Sequence, residues 1–321
     1  RRPPHVEFCS PEEDAKRRDF TINGMFYDPL HRQIHDFVGG QHDLGNGLIR
    51  AIGDPYDRMR EDKLRMLRGV RFTASLEFQL DEATANAIQG MAPEIHIVSA
   101  ERIAQELKKM LIDRHRAKAT SLARELKLFD EILPEWKLSD AENERDWTNT
   151  LQALHLLQTP SFETAFAALV YAVHRREHGE ASESDIVSSI VKRLRLSNRE
   201  HDRIVWLVTQ LSSVGGLHQQ KPAVWKRMMA HEGFAELVSL ARVVALAEER
   251  PLDGVLFCEE MLKQLTPGEI APPLLLTGDD LIKLGLRSGP DFRRILDAVR
   301  DAQLNGEIST IDEARELAPK L

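Results

Sequence analysis

The spacing of hydrophobic positions changes character near residue 56. Ahead of it, apolar residues come in short runs separated by turn residues. His5-Val6-Glu7-Phe8-Cys9 alternates and predicts a strand. Ser10-Pro11-Glu12-Glu13 predicts a helix start, with Ser10 as cap, Pro11 in the first helical position and Glu13 completing a capping box. Strands are expected at 24–28, 33–37 and 48–52, the last closed by Gly53-Asp54-Pro55. Asp36-Phe37-Val38-Gly39-Gly40 punctuates this piece, its glycines permitting a sharp turn. From residue 56 onward the period becomes helical. Leu64, Leu67, Val70 and Ala74 recur at threes and fours, as do Ile103, Leu107 and Met110/Leu111 behind Ser99, a fair N-cap. Helices are expected at 117–133, 148–158, 162–176, 184–195, 199–213 and 234–248, with breaks at Asn198 and Gly215-Gly216. Pro267, Pro272 and Pro273 mark a boundary, and a last module has helices near 279–284, 290–304 and 310–317. The pattern predicts a mainly α chain with a small α+β piece at its start, without internal repeats.

Composition adds a class and little more. The chain has 321 residues, 42% of them hydrophobic and 29% charged, which suits a soluble globular protein of about two or three small domains. No apolar run approaches the roughly 18 residues that span a bilayer, and no signal peptide opens the chain. It begins Arg1-Arg2-Pro3-Pro4 without Met, which reads as a fragment or a chain with a further upstream segment. Cys9 and Cys258 lie far apart, without Cys or His neighbours at metal-ligand spacing, and suit a reducing cytoplasm. A net charge of −8 argues mildly against non-specific nucleic-acid binding, but arginines cluster at 58–71 and 192–203.

Three segments carry candidate chemistry. In Arg17-Arg18-Asp19-Phe20-Thr21-Ile22-Asn23, guanidinium forks could grip phosphate oxygens, and Asp19 with Asn23 could hold a ribose hydroxyl. The plainer alternative is a solvated helix end. In Arg60-Glu61-Asp62-Lys63-Leu64-Arg65-Met66-Leu67-Arg68-Gly69-Val70-Arg71-Phe72, a helix would put Asp62 and Arg65 on one face, with Arg68 and Arg71 extending the stripe. A carboxylate acceptor beside a guanidinium donor matches the donor–acceptor edge of cytosine and adenine. Uracil and guanine present the reverse polarity and would leave buried groups unpaired. The alternative is an ordinary surface ion pair. In the helix 99–111, Arg102, Glu106 and Lys109 form a charged stripe opposite an apolar one, which alone reads as structural.

Taken together, in this order and spacing, the segments resemble the class II tRNA nucleotidyltransferases and bacterial poly(A) polymerases. Arg18-Asp19-Phe20-Thr21-Ile22-Asn23 looks like that family's ribose- and phosphate-contacting motif, and Asp36-Phe37-Val38-Gly39-Gly40 like its hinge motif. Glu61-Asp62-Lys63-Leu64-Arg65 looks like its base-selecting motif, and the helix 99–111 like its neck-stabilising one. Arg193-Leu194-Arg195-Leu196-Ser197-Asn198 resembles a body segment, and Leu275–Ile282 with Gly285-Leu286 the tail. The resemblance implies part of a polymerase-β-type nucleotidyltransferase head at 1–54 and a helical neck for base selection at 55–115. A helical body at 116–266 and a tRNA-binding tail at 267–321 would follow. It implies nucleotide contacts by Arg18, Asp19, Asn23, Glu61, Asp62, Arg65, Arg68 and Arg71, and transfer of CMP or AMP from CTP or ATP to the 3′ end of tRNA. Mg²⁺ would be the cofactor. Neither a membrane nor a stable protein partner is expected.

The sequence departs from the family in two places. The Asp-x-Asp pair that should follow a Gly-rich turn and hold Mg²⁺ is missing, and Asp279-Asp280 stands in the wrong context. The chain alone is therefore expected to bind nucleotide weakly and to catalyse poorly or not at all. Residues 146–176 resemble a metal-dependent phosphohydrolase-type body, but the His expected near Asn149 and the His-Asp pair expected near Tyr171-Ala172 are absent. His155, His174 and His178 do not restore the pattern, so the body reads as a scaffold. RNA contacts are expected from Lys192, Arg193, Arg195, Arg199 and Arg203, and from Arg287, Arg293 and Arg294 in the tail. The alternatives are a poly(A) polymerase, which should carry a basic C-terminal extension, and a non-catalytic RNA-binding remnant. CCA, A-only and CC-only addition all fit the motifs.

Overall fold

The computed structural model describes residues 9–137, 141–178, 185–286 and 289–321. Helices dominate, and strands form just two small sheets among the described residues. The mainly α fold with a small α+β piece is thus the one that forms. The chain divides between Val208 and Thr209 into two compact units.

The first unit opens with the helix Pro11–Arg17. Its start is the capping box expected there: Ser10 Oγ accepts from Glu13 N–H at 3.3 Å, and the Glu13 carboxylate accepts from Ser10 N–H at 2.8 Å. The strand expected at 5–9 lies, apart from Cys9, outside the described residues. A 3₁₀ turn, Thr21–Asn23, leads into an antiparallel hairpin of Met25–Asp28 with Gln33–Asp36, Met25 facing Asp36. The helix Gly40–Gly45 follows, then Leu48–Ile49, which pairs in parallel with Gln79–Leu80. The strand expected to run to residue 52 stops at Ile49. Beyond it, the Ala51 N–H donates to Thr84 Oγ1 at 3.1 Å, and Ala51 keeps an isolated bridge to Phe20.

Phe20 joins this piece to the helices. It is fully buried and meets Phe72 edge-to-face at 5.9 Å. Gly69, in the helix Leu64–Ser75, makes room for it: a Cβ there would come within 3.2 Å of Phe20 Cζ and 3.1 Å of Ile88 Cδ1. The same helix buries Leu64, Met66, Leu67 and Val70, each contributing about 1.5–3 kcal/mol of apolar burial.

The segment expected as one helix at 117–133 is two, Arg116–Glu125 and Leu128–Ile132. Leu126 and Leu128 are both buried, and two residues apart on one helix they would face opposite ways. Lys127 at φ 61° reverses the chain so that both point inward. The helices Ala141–Leu156 and Phe162–His178 complete the middle of the unit. The second is buried at every position from Ala165 to Val173, as expected of a helix apolar all round.

The second unit begins with a 3₁₀ segment, Leu211–Gln219, in place of the last turn of the helix expected at 199–213, which ends at Gln210. The helices Pro222–Met229, Phe234–Ala247 and Asp253–Gln264 come next. Gly278–Lys283, Asp291–Leu304 and Ile311–Leu317 close the chain around Leu276, Leu281, Ile295, Val299 and Ala314.

Candidate functional site

Arg18, Asp19, Asn23, Asp62, Arg65, Arg68 and Phe72 line one open cleft of about 440 Å³ in the first unit. Asp19 organises one wall. Its Oδ1 accepts from Phe20 N–H at 2.9 Å and from Asn23 Nδ2 at 3.0 Å. Its Oδ2 receives Arg68 Nε at 2.7 Å and Nη2 at 2.6 Å. Buried and fully engaged, Asp19 acts as the anchor that aims Asn23 and Arg68. Arg18 is half-exposed, bound to Asp14 Oδ2 at 3.0 Å and to the Asn23 carbonyl at 2.7 Å, with its guanidinium 4.5 Å from the Phe26 ring centre.

Asp62 is not on a helix face with Arg65, as the sequence suggested. The helix Pro55–Glu61 ends just before it, a new one starts at Leu64, and Asp62 sits between them with extended backbone. Its Oδ1 accepts from Leu64 N–H at 3.1 Å, satisfying a donor that the helix start leaves open. Its Oδ2 accepts from Arg102 Nη2 at 2.7 Å. Burial pushes the Asp62 carboxyl upward, but the Arg102 hydrogen bond, the Leu64 N–H and the charges of Arg102 and Arg65 outweigh it and hold its pKa below the usual carboxylate value. At neutral pH it is ionised and only accepts. Arg65 is partly buried and aimed by three acceptors: Glu61 Oε2 at 2.5 Å, the Arg58 carbonyl at 2.9 Å and the Arg17 carbonyl at 2.7 Å. The cleft thus offers a fixed acceptor and a fixed donor fork side by side.

Two of the residues expected here lie off the cleft. Glu61 bridges Arg58 and Arg65, at 2.8 and 2.5 Å, and so positions the latter. Arg71 is drawn to Glu106 Oε2 at 2.7 Å. Glu106, read from the sequence as part of a charged stripe opposite the apolar one, is only 2% exposed and also holds Lys109 at 2.8 Å. Its place between Ile103, Leu107 and Met110, on the apolar face of the helix Ala100–Ile112, was the available signal. Burial works against ionisation of Glu106, yet Lys109 and Arg71 keep its pKa below the ordinary value. Arg102 and Phe72 are the cleft partners that sequence reasoning did not select.

A pair of Mg²⁺ ions does not fit these residues. Among the described residues no group of three His, Cys, Asp or Glu side chains is placed to hold a metal. The cleft carboxylates are taken up by Arg68 and Arg102. Asp280 is spent in a capping box with Thr277. In the body, buried Asp146 pairs with Arg175 at 2.6 Å. His155 is exposed, His174 is buried, and the His178 side chain lies outside the described residues.

The expected RNA-binding residues are mostly exposed, and several are engaged. Arg193 pairs with Glu135 at 2.8 Å. Arg195, at φ 52°, pairs with Glu101 at 2.8 Å, and that hydrogen bond raises the pKa of the arginine further. Lys192 and Arg199 are exposed and have no ion-pair partner among the described residues, while Arg203 is partly buried. In the second unit, Arg293 and Arg294 are exposed, Arg294 donating to the Leu321 carbonyl at 2.6 Å. Arg287 lies outside the described residues.

Comparison with known proteins gives one consistent picture. Residues 1–50 match the "Poly A polymerase head domain" model, and residues 77–139 the model described as "Probable RNA and SrmB- binding site of polymerase A". A CCA-adding enzyme of Lactobacillus helveticus is 30% identical over 321 residues, which is 98% of this chain and 74% of that protein. A poly(A) polymerase I of Salmonella typhi is 41% identical over 127 residues, 40% of this chain and 27% of that one. The crystal structure of the Bacillus stearothermophilus CCA-adding enzyme in complex with CTP superposes with a TM-score of 0.75 at 27% identity, covering 98% of this chain and 75% of the other. No helix among the described residues is long and apolar enough to cross a membrane.

Proposed function

The chain belongs to the family of CCA-adding enzymes and poly(A) polymerases, which are nucleotidyltransferases, and we propose that its cleft selects CTP and ATP for addition to the 3′ end of tRNA. One observation carries this reading: ionised Asp62 and the anchored guanidinium of Arg65 line the same cleft. Cytosine and adenine each offer an exocyclic amine donor next to a ring-nitrogen acceptor. Asp62 accepts from the amine and Arg65 donates to the ring nitrogen. Arg18 and Asn23, in the segment that resembles the family's ribose- and phosphate-contacting motif, and Arg68 beside them supply the side toward the ribose and phosphates. In this reading residues 1–54 are head and 55–115 the base-selecting neck, with body and tail beyond. Mg²⁺ is the cofactor the family implies, and no group of three or more potential ligands among the described residues is placed to hold it. A tRNA substrate is favoured over a growing poly(A) tail because likeness to the CCA-adding enzyme runs through 98% of the chain, against 40% for the poly(A) polymerase. The two free cysteines suit a cytoplasmic location.

The test is equilibrium binding of the four nucleoside triphosphates to this chain. CTP and ATP should bind about 5- to 150-fold more tightly than UTP and GTP, the discrimination expected of a good bidentate base contact of about 1–3 kcal/mol. Equal binding of all four would remove the reading.

The RNA grip is proposed to run through Lys192, Arg193, Arg195, Arg199 and Arg203, with Arg287, Arg293 and Arg294 in the tail. Lys192 and Arg199 have no acidic partner to give up among the described residues, whereas Arg193 and Arg195 must exchange Glu135 and Glu101 for phosphate. The affinity for a tRNA acceptor stem should fall with salt, the log–log slope losing about 0.7–0.9 for each contact removed. Lys192→Gln with Arg199→Gln should lower the slope more than Arg193→Gln with Arg195→Gln. An unchanged slope in both double variants would take this segment out of the RNA path.

A further inference from the structure

Phe72 is the aromatic member of a cleft otherwise lined by charged and amide side chains. Its ring is fixed from behind by Phe20, edge-to-face at 5.9 Å, and Phe20 is fully buried against Gly69. Two guanidiniums lie on it: Arg71 at 4.2 Å and Arg68 at 5.2 Å from the ring centre. Each arginine is held on its other side by a buried carboxylate, Arg68 by Asp19 at 2.6 Å and Arg71 by Glu106 at 2.7 Å. An arginine pinned by one carboxylate can still swing about that contact, whereas a ring face adds a second, planar restraint.

We propose that Phe72 is a positioning residue for the phosphate-binding Arg68: its ring, which Arg71 covers from outside the cleft, holds Arg68 in the cleft and so sets the grip on the triphosphate without setting the choice of base. The base-selecting pair stands apart from this platform. Asp62 is anchored by Arg102 and Leu64 N–H, and Arg65 by Glu61 and two backbone carbonyls, hydrogen bonds in which the ring takes no part. The inference rests on the cleft being the nucleotide site.

Inorganic tripolyphosphate separates the two roles, because it carries the phosphates and no base. Its binding, with that of CTP and UTP, is measured calorimetrically on the wild-type chain, Phe72→Leu, Phe72→Tyr and the same changes in an Arg68→Gln background. Phe72→Leu should weaken tripolyphosphate and CTP by the same factor, about 5- to 30-fold for a desolvated cation–π contact, with the CTP-to-UTP ratio unchanged. Phe72→Tyr keeps the ring face and should stay within about twofold of wild type. In the Arg68→Gln background the loss from Phe72→Leu should shrink to less than half. Loss of CTP binding with tripolyphosphate unaffected would show that the ring meets the base and would overturn the proposal. So would a tyrosine variant as weak as leucine, or an undiminished loss without Arg68. If Phe72→Leu fails to fold, Phe72→Met keeps the volume and takes its place. A wild-type chain that binds neither ligand removes the cleft reading and this inference with it, whereas normal binding by Phe72→Leu removes the inference alone.

Discussion

Replacing Asp62 and Arg65 together by alanine should reduce the preference for CTP and ATP over UTP and GTP from the expected 5- to 150-fold to about twofold or less. The loss should be in selectivity more than in overall affinity, because Arg18, Asn23 and Arg68 remain to hold ribose and phosphates. The single variants should differ. Asp62→Ala removes the acceptor for the exocyclic amine and leaves Arg102 without its partner at 2.7 Å, but Arg65 keeps its three anchors. UTP should then gain relative to CTP, since a guanidinium alone can serve the uracil carbonyl. Arg65→Ala also uncovers the Arg58 and Arg17 carbonyls at the cleft wall, so its effect on affinity should be the larger of the two. The carboxylate is already ionised at neutral pH, its folded pKa lying below the ordinary aspartate value of 3.8. Its contribution is therefore complete above that range and lost as pH falls through the folded value, and selectivity should be flat between about pH 6 and 8. Unchanged ratios among the four nucleotides in the double variant would refute the template role.

The fold class was legible because it rests on short-range rules, and the cleft because its segments resemble the family's motifs. Threes and fours of leucine, isoleucine and valine place the helix Leu64–Ser75, and the capping box at Ser10 places the first helix. The resemblance of the segments carrying Arg18, Asp19 and Asn23 and carrying Asp62, Arg65 and Arg68 to the family's motifs implied a common site, and these six residues do line one cleft. What the sequence hid was the choice of partner. A helical stripe says which way a side chain points and nothing about which element packs there. Hence Glu106 read only as part of a charged stripe, although the helix Leu64–Ser75 brings Arg71 to it, and Arg71 read as a cleft residue for the same reason. The break at Asp62 was hidden because an Asp followed two residues later by a good helix former fits equally well inside a helix and at the start of one. The helices Glu82–Met91, Pro222–Met229 and Asp253–Gln264 were not singled out either. Their buried faces rest largely on small or isolated apolar residues, such as Ala87 and Ile88, Ala223 and Trp225, or Gly254 and Val255, so the periodic signal is weak.

A large loss of stability should come from a single methyl group at Gly40, and the neighbouring glycine supplies the control. Gly39 and Gly40 stand side by side at the start of the helix Gly40–Gly45 and are constrained in different ways. Gly39 has φ 77°, a left-handed conformation, and open space where a Cβ would go. Alanine there should cost about 1–2 kcal/mol in backbone strain alone. Gly40 has ordinary backbone angles and no space: its Cβ would lie 2.3 Å from the Thr21 carbonyl oxygen, 2.8 Å from Met25 Cγ and 3.0 Å from the Thr21 carbonyl carbon. Two of these atoms are backbone, so no rotamer relieves the contact and one of the two segments must move. The Asp36 carboxylate resists movement on one side, accepting from the N–H groups of Val38, Gly40 and Gln41 at 3.1, 2.9 and 2.9 Å. Thr21 is held on the other by its hydroxyl on buried Asp43 at 2.7 Å and by its N–H on the Arg50 carbonyl at 2.9 Å. Gly40→Ala should therefore cost about 3 kcal/mol or more, the upper end of the range for overpacking. The damage should also reach the cleft, because Thr21 lies between Asp19 and Asn23, whose side chains share a 3.0 Å hydrogen bond. Urea unfolding of the two variants, followed by CTP binding at a urea-free temperature where both remain folded, distinguishes the cases. Gly39→Ala should be modestly destabilised and bind CTP normally, whereas Gly40→Ala should be destabilised more and bind CTP weakly. Equal unfolding midpoints for the two variants would mean that the contact between Gly40 and Thr21 does not hold the first segment in place.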